Sequence, residues 1–206
     1  QPPKGRRLSA GSPVDERKHG GWTLNNAAAC YFLDVHLARQ MAKAVVGART
    51  AASLTELGAG VGCYSAMLEH LGVKIVAAVD GLSGVGELTG GRVVGWDLVC
   101  PLDARADWVL SLEVAEHIPR SHEAAFVSNV VRNARCGVLL SWGKPGQEGA
   151  GHVNLRESAY VSELMGKESF AEDASLTQQL RAAAKFSWLR ENVRAFRRLN
   201  ADAACV

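Results

Sequence analysis

The stretch Ser53-Leu-Thr-Glu-Leu-Gly-Ala-Gly-Val-Gly62 constrains this chain more than any other. Leu54 and Leu57, among small neighbours, read as a short buried strand that ends where the glycines begin. The run Cys63–Leu71 then places Ala66, Met67 and Leu71 on one side of a helix. Strand, glycine turn and helix together let backbone pass close to a ligand that faces a helix N-terminus. Glu56 stands at the carboxyl end of that strand. The stretch looks like the nucleotide-binding turn of an α/β fold, and alone it says only that a nucleotide-like ligand can approach the backbone there.

Composition sets the limits around this motif. At 206 residues the chain fits one domain with a proper core. A hydrophobic content of 48% with 21% charged residues is ordinary for a globular protein. The net charge of +2 is too small to argue for nucleic acid or an anionic membrane surface. Basic residues gather only near the ends (Lys4, Arg6, Arg7; Arg190, Arg194, Arg197, Arg198), where a solvated face accounts for them. Cys30, Cys63, Cys100, Cys136 and Cys205 form no CxxC pair and no metal-like spacing, so they read as buried free thiols. That reading weakly favours a reducing, cytoplasmic setting. No apolar run approaches the roughly 20 residues of a membrane-spanning helix. The sequence starts at Gln1 rather than Met, which leaves room for a removed targeting segment.

Along the chain, residues 1–20 are rich in Pro, Gly and charge and read as a flexible arm before a single domain at 21–206. From Thr23 to about Val46, Leu24, Ala28, Phe32, Val35, Ala38, Met41, Ala42 and Val45 recur at helical spacing, with Thr23 as a plausible N-cap. Lys74–Val79 is a continuous apolar run, as expected of a parallel strand covered on both faces, and it ends in Asp80-Gly81. Five glycines between 81 and 91 leave room for no more than a turn or two of helix. Further strands are expected at 92–96, 107–112, 137–142 and about 192–198. Helices are expected at 121–133, 157–165 and 176–185. Strands alternating with helices from 53 to 142 imply a doubly wound, mostly parallel sheet.

The acids at the strand ends then narrow the ligand. A dinucleotide turn follows G-x-G-x-x-G/A, whereas here Gly58, Gly60 and Gly62 alternate and Cys63 takes the third small position. Asp80 ends the second strand, where a carboxylate can accept both hydroxyls of a ribose. Asp97 follows the third strand, where it can accept an adenine amino hydrogen while Trp96 or Leu98 covers the ring. Any one of these acids is equally well a helix cap or a solvated end. Their occurrence after three successive strands is harder to dismiss, because ligands in such sheets bind at the carboxyl ends of strands.

Together these residues resemble the class I S-adenosylmethionine-dependent methyltransferases of small molecules. Glu56-Leu-Gly-Ala-Gly-Val-Gly62 is similar to the family's first motif, Asp80 to its ribose-binding acid, and Trp96-Asp97-Leu98 to its adenine-binding motif. Ser111-Leu-Glu-Val-Ala-Glu-His-Ile-Pro119 is similar to the segment after its fourth strand. The resemblance covers residues 53–142. It implies a Rossmann-like seven-stranded sheet whose last strand, 192–198, is reversed, with an N-terminal helical cover. It also implies S-adenosylmethionine as cofactor, S-adenosylhomocysteine as product, and a cofactor site of Glu56, Gly58, Ala59, Gly60, Gly62, Asp80, Gly81, Trp96, Asp97, Leu98, Ser111, Glu113 and His117.

Methyl transfer rests largely on holding donor and acceptor close and in line. A base is needed only if the acceptor must lose a proton, and His152, after the loop Gly146-Gln-Glu-Gly-Ala-Gly151, is the candidate. The plainer role for His152 is to tie that loop to the core. Trp22, Tyr31, Trp142 and Tyr160 are candidates for the acceptor pocket, with Trp22 equally well a hydrophobic anchor. His36, His70 and His122 read as surface residues. No metal-ligand spacing stands out. The partner is a small-molecule acceptor at oxygen or nitrogen, with no sign of nucleic acid or membrane and no indication of oligomeric state. The rivals are a nicotinamide oxidoreductase with an unusual glycine turn, and a methyltransferase-like module that binds without turning over.

Overall fold

In the computed structural model, residues 30, 32–47, 52–201 and 205 are described. The expected arm at 1–20, Trp22 and Tyr31 lie outside them. The apolar runs become the strands β1 (Ser53–Leu57), β2 (Lys74–Asp80), β3 (Val94–Gly95), β4 (Ala106–Ser111), β5 (Ala134–Leu140), β6 (Phe170–Glu172) and β7 (Arg194–Arg198). They form a 7-stranded sheet in the order β3-β2-β1-β4-β5-β7-β6. β1 through β5 pair in parallel. β7 runs antiparallel to both β5 and β6, so it alone is reversed, as expected. The three-residue β6 was not foreseen; it is the edge strand that β7 pairs on its outer side.

Helices cover both faces: α1 (Val35–Gly47), α2 (Cys63–His70), α3 (Val85–Leu88), α4 (Glu123–Asn133), α5 (Ser158–Lys167), α6 (Ala174–Ala183) and α7 (Ser187–Asn192). Because side chains alternate across a strand, neighbouring residues feed opposite cores. In β4, Trp108 and Leu110 pack with α1, α2, α6 and α7 residues such as Met41, Leu68, Leu180 and Leu189. Val109 between them packs with Phe126, Val130 and Met165 of α4 and α5. All six residues of β4 are buried, as expected of a central strand. Gly137 of β5 makes room for this packing, since a Cβ there would overlap the Trp108 ring.

Two expectations are corrected. The expected helix is not continuous into Val35: Cys30, Phe32, Leu33 and Asp34 are non-helical and the first described helix begins at Val35, while the expected start at Thr23 lies outside the described residues. Asp34 is the reason: its Oδ1 accepts the Leu37 N–H at 3.0 Å, a capping bond, while Oδ2 accepts the backbone N–H groups of Lys185 and Phe186. Four of the five cysteines are not free thiols. Cys30 is bonded to Cys63 and Cys136 to Cys205, leaving Cys100 free. Such bonds persist in oxidising surroundings, so the thiols give no support to a reducing compartment. Among the described residues, no helix is long and apolar enough to cross a membrane.

Candidate active site

The sheet reverses its winding between β1 and β4, which are neighbours although β2 and β3 intervene in sequence. Ligands in open α/β sheets bind outside the strand ends at such a point. The glycine turn leaves β1 here. Gly58, Gly60 and Gly62 all have positive φ, at 80°, 55° and 81°. Two of them are also sterically required: a Cβ on Gly58 would overlap Val114, and one on Gly62 would lie 2.8 Å from Val93 Cγ2. At Gly60 a Cβ would meet nothing within 4 Å, so the turn presents bare backbone to open space. No side chain caps the N-terminus of α2 beyond it.

The turn is braced by its acids. The Gly58 and Ala59 N–H groups both donate to the Val79 carbonyl, at 2.8 and 3.0 Å, and Gly60 N–H donates to Asp80 Oδ2 at 2.6 Å. Asp80 Oδ1 accepts the Leu82 N–H at 2.8 Å, across the half-buried Gly81. Burial raises the Asp80 carboxyl above its ordinary range, against the pull of these two donors. Glu56 is 3% exposed and accepts the Ser65 hydroxyl of α2. Burial pushes its carboxyl up to about 8. Trp96 N–H donates to the Asp80 carbonyl at 2.8 Å, which sets the third segment beside the second. Asp97 Oδ1 accepts the Val99 N–H at 3.1 Å, and Trp96 Nε1 donates to the Cys100 carbonyl at 3.3 Å. Leu98 is buried in the core, and Asn129 of α4 holds the loop by donating to the Leu98 and Cys100 carbonyls, both at 2.7 Å. The Cys30–Cys63 bond fastens the N-terminal segment to the first residue of α2, directly beside the turn.

The segment after β4 supplies the other half of the site. Ser111 is fully buried and donates to the Leu57 carbonyl at 2.8 Å, locking the ends of β4 and β1 together. Glu113 takes a left-handed φ of 52°, a strained conformation for a residue with a side chain. Its carboxylate accepts Gln147 Nε2 at 2.5 Å and Asn192 Nδ2 at 3.2 Å, and Asn192 also donates to Gln147 Oε1 at 2.7 Å. This triangle holds the 143–151 loop onto the strand ends. Three residues on, Glu116 and His117 lie in a 3-10 turn (Ala115–His117).

The Glu116 carbonyl accepts the Val153 and Asn154 N–H groups at 2.8 and 2.9 Å, which brings the far end of the loop against this turn. His152 thereby meets His117, with ring centroids 5.0 Å apart at 72°. Its Nδ1 lies 3.2 Å from the Gln147 carbonyl oxygen, which can only accept, so the proton sits on Nδ1 and Nε2 keeps its lone pair. One ligand atom each from Glu116, His117 and His152 lie within 4.8 Å of one another. Spacing in the sequence showed no such cluster. Glu116 is fully buried; the backbone N–H groups of Glu116 and Gly143 and the Glu113 carboxyl lie near its carboxyl, but neither oxygen makes a hydrogen bond of ordinary geometry. Burial, with the nearby Glu113 charge, pushes it up to about 8.

Trp142 and Tyr160, the described candidates for the acceptor pocket, both make hydrogen bonds within the fold. Trp142 is buried and its Nε1 donates to the Asn154 carbonyl at 2.7 Å. Tyr160 donates its hydroxyl to Glu123, which also accepts Asn154 Nδ2 at 2.9 Å and Arg156 Nε at 2.8 Å. Burial alone would raise the Glu123 carboxyl, but the bonds from Tyr160, Asn154 and Arg156 and the Arg156 charge hold it below its ordinary range. Sequence reasoning missed Glu116 and the bracing residues Ser65, Glu123, Gln147 and Asn192. Only the Glu-x-x-Glu-His spacing of 113–117 hinted that Glu116 belongs with its neighbours.

No protein-family model matches the chain, and no curated protein matches it in sequence. The architecture does have solved counterparts. Magnesium protoporphyrin IX methyltransferase (ChlM) from Synechocystis PCC 6803, with bound SAM, matches at TM-score 0.60 and 16% identity over 89% of this chain and 88% of that one. The sugar N-methyltransferase KedS8 from Streptoalloteichus sp ATCC 53650 matches at TM-score 0.63 and 12% identity, covering 95% and 96%. N-methyltransferase NodS from Bradyrhizobium japonicum WM9, in complex with S-adenosylhomocysteine, matches at TM-score 0.57 and 13% identity, covering 78% and 85%. What is shared at such identities is the fold. It is the Rossmann-like methyltransferase fold, with its reversed strand in the expected place.

Proposed function

We propose that the chain is an S-adenosylmethionine-dependent methyltransferase acting on an oxygen or nitrogen of a small molecule. One observation carries the reading: the carboxyl ends of β1, β2 and β3 bring three segments into a single contiguous edge. They are the bare turn at Gly60, the Asp80 carboxylate bonded to that turn, and Trp96-Asp97-Leu98 bonded to Asp80. The open space over Gly60 fits a ligand that must lie against backbone, and the acids on either side fit its ribose and its base.

In this reading Gly58–Gly62, braced by Glu56, hold the methionine part, Asp80 and Gly81 the ribose, and Asp97 with Trp96 and Leu98 the adenine. S-adenosylmethionine supplies an electrophilic methyl on a sulfonium and leaves as the neutral thioether. The chain supplies position: Ser111 fixes the strand ends, and the 143–151 loop closes the acceptor side over Glu113, His117 and His152. The Nε2 lone pair of His152 can take a proton from an acceptor held there. The small-molecule acceptors in the names of the solved counterparts agree with this scale of substrate.

Isothermal titration with S-adenosylhomocysteine tests the reading. One equivalent should bind, and Asp80→Ala should weaken it by about tenfold or more, the loss of a charge-assisted hydrogen-bond pair. Protection from unfolding by NAD, with no response to S-adenosylhomocysteine at millimolar concentration, overturns it in favour of an oxidoreductase.

A further inference from the structure

We infer that Glu116, His117 and His152 bind a divalent transition-metal ion, Zn²⁺ or Mn²⁺, whose open coordination position receives a hydroxyl oxygen of the methyl acceptor. This rests on the methyltransferase reading for the acceptor and on this chain's own geometry for the metal.

Three observations meet here. The first is proximity: a carboxylate and two imidazoles approach within 4.8 Å although His152 is far from the other two in sequence. Ligands around a tetrahedral ion with bonds of about 2.0–2.2 Å stand roughly 3.4 Å apart. Glu116 and His117 lie in a buried turn and His152 in the half-buried segment facing it, so binding would draw the three ligand atoms together from their present spacing. The second is the orphaned carboxyl. Glu116 is 0% exposed; the backbone N–H groups of Glu116 and Gly143 and the Glu113 carboxyl approach it, yet neither oxygen makes a hydrogen bond of ordinary geometry, and among the described residues no Lys or Arg pairs with it. Buried carboxylates are paired or coordinate metals, and a buried unsatisfied group calls for an explanation. The third is the orientation of His152. Metal-binding imidazoles usually donate their other N–H to a carbonyl or carboxylate, which aims the lone pair at the ion. Gln147 plays that part here, and Gln147 is itself held by Glu113 and Asn192. Gly149 permits the arrangement, since a Cβ at that position would overlap the His152 ring.

A mixed set of two imidazoles and one carboxylate suits borderline divalent ions rather than Mg²⁺ or Ca²⁺, which prefer oxygen alone. Three protein ligands leave a place for water or substrate, as in catalytic rather than structural zinc sites. A hydroxyl in that place becomes more acidic, and its proton passes to water. His152 then serves as a ligand, and the need for a separate base falls away. The acceptor class narrows from oxygen or nitrogen to a hydroxyl compound.

The test uses the whole protein, stripped with EDTA and titrated with ZnCl₂ or MnCl₂ alone, beside a parallel titration with S-adenosylhomocysteine. One equivalent of metal should bind. Glu116→Gln and His152→Ala should each weaken it by about tenfold or more while leaving S-adenosylhomocysteine binding and the unfolding temperature close to the parent's. Glu116→Gln removes a buried acid, and His152→Ala changes a half-buried loop residue, so at least one variant stays folded. No uptake of either metal at millimolar concentration overturns the inference, as does uptake undiminished in both variants. Metal uptake without S-adenosylhomocysteine binding supports the metal site and rejects the methyl donor. The reverse result rejects the metal site alone.

Discussion

Replacing Glu56 by Gln isolates one buried carboxyl whose charge state the fold controls. Glu56 is 3% exposed, and burial raises it from 4.5 to about 8. Between those values the folded chain holds a proton that the unfolded chain has released. Stability therefore falls as pH rises through this window. A tenfold change in a protonation equilibrium is worth about 1.4 kcal/mol, so ionisation of Glu56 removes on the order of 5 kcal/mol by pH 8 and nothing below pH 4.5. Glutamine has the same shape, and its Oε1 can still accept the Ser65 hydroxyl, but it does not titrate. Any cost of the unpaired amide hydrogens is the same at every pH. The difference between variant and parent should therefore climb steadily in the variant's favour from pH 5 to pH 8. At pH 8 it is equivalent to about 10 °C or more in unfolding temperature for a chain of this size. Urea unfolding at several pH values, with disulfides intact and no ligand added, measures it. A difference that stays constant across that range refutes the reasoning, because Glu56 would then share one charge state in folded and unfolded chains.

Two further substitutions test the bracing of the site. Gly58→Ala should cost about 2–3 kcal/mol in urea unfolding, because it meets both a φ of 80° and the Val114 side chain. Adding Val114→Ala should recover the steric part and leave the backbone part, a coupling that a double-mutant cycle reads directly. Glu123→Ala strips the common partner from Asn154, Arg156 and Tyr160 and should cost about 3–5 kcal/mol, as for other broken buried ion pairs. Since Glu123 is held below its ordinary range, its contribution is present above pH 4.5 and lost as pH falls, so the gap between variant and parent should close in acid.

The central sheet was legible because its signals are local. Apolar residues ahead of an acid or a glycine marked β1, β2, β4 and β5; β2 and β4 lie within a residue of the expected bounds, whereas β5 starts three residues earlier, at Ala134 rather than Gly137. β6 gave no such signal, being three residues long and defined by what β7 offers it. The start of α1 failed for a related reason. Thr23 and Asp34 are both good capping residues, and the apolar spacing ran through Phe32, which proves to be 53% exposed. Asp34 owes its place to amides at Lys185 and Phe186, far along the chain. The disulfides close over 33 and 69 residues, and connectivity of that kind does not follow from spacing. At the site, the residues proposed for the cofactor follow strands, so they are read from their position after each strand. Glu116 was passed over because its partners arrive through backbone bonds from Val153 and Asn154.

Polar groups around the 143–156 segment are unevenly satisfied, and the unevenness has a direction. One end is fastened by Glu113, Gln147 and Asn192, each bonded to the other two. The other end is fastened by Glu123, which receives Asn154, Arg156 and Tyr160. Both fasteners hold the loop in the position that brings His152 beside Glu116 and His117. Between them stands Glu116 itself, fully buried, with the Glu113 carboxyl beside it and no hydrogen bond of ordinary geometry at either oxygen. A loop needed only to exclude water would do as well with an apolar residue at 116, and the fold would be more stable for it, since an unsatisfied buried carboxyl costs free energy that a hydrocarbon does not. Two networks that fasten the loop around one buried acid with no cation beside it fit a site built to hold a charge that arrives from outside. That is the reason to look for a cation at Glu116 before looking for a base at His152.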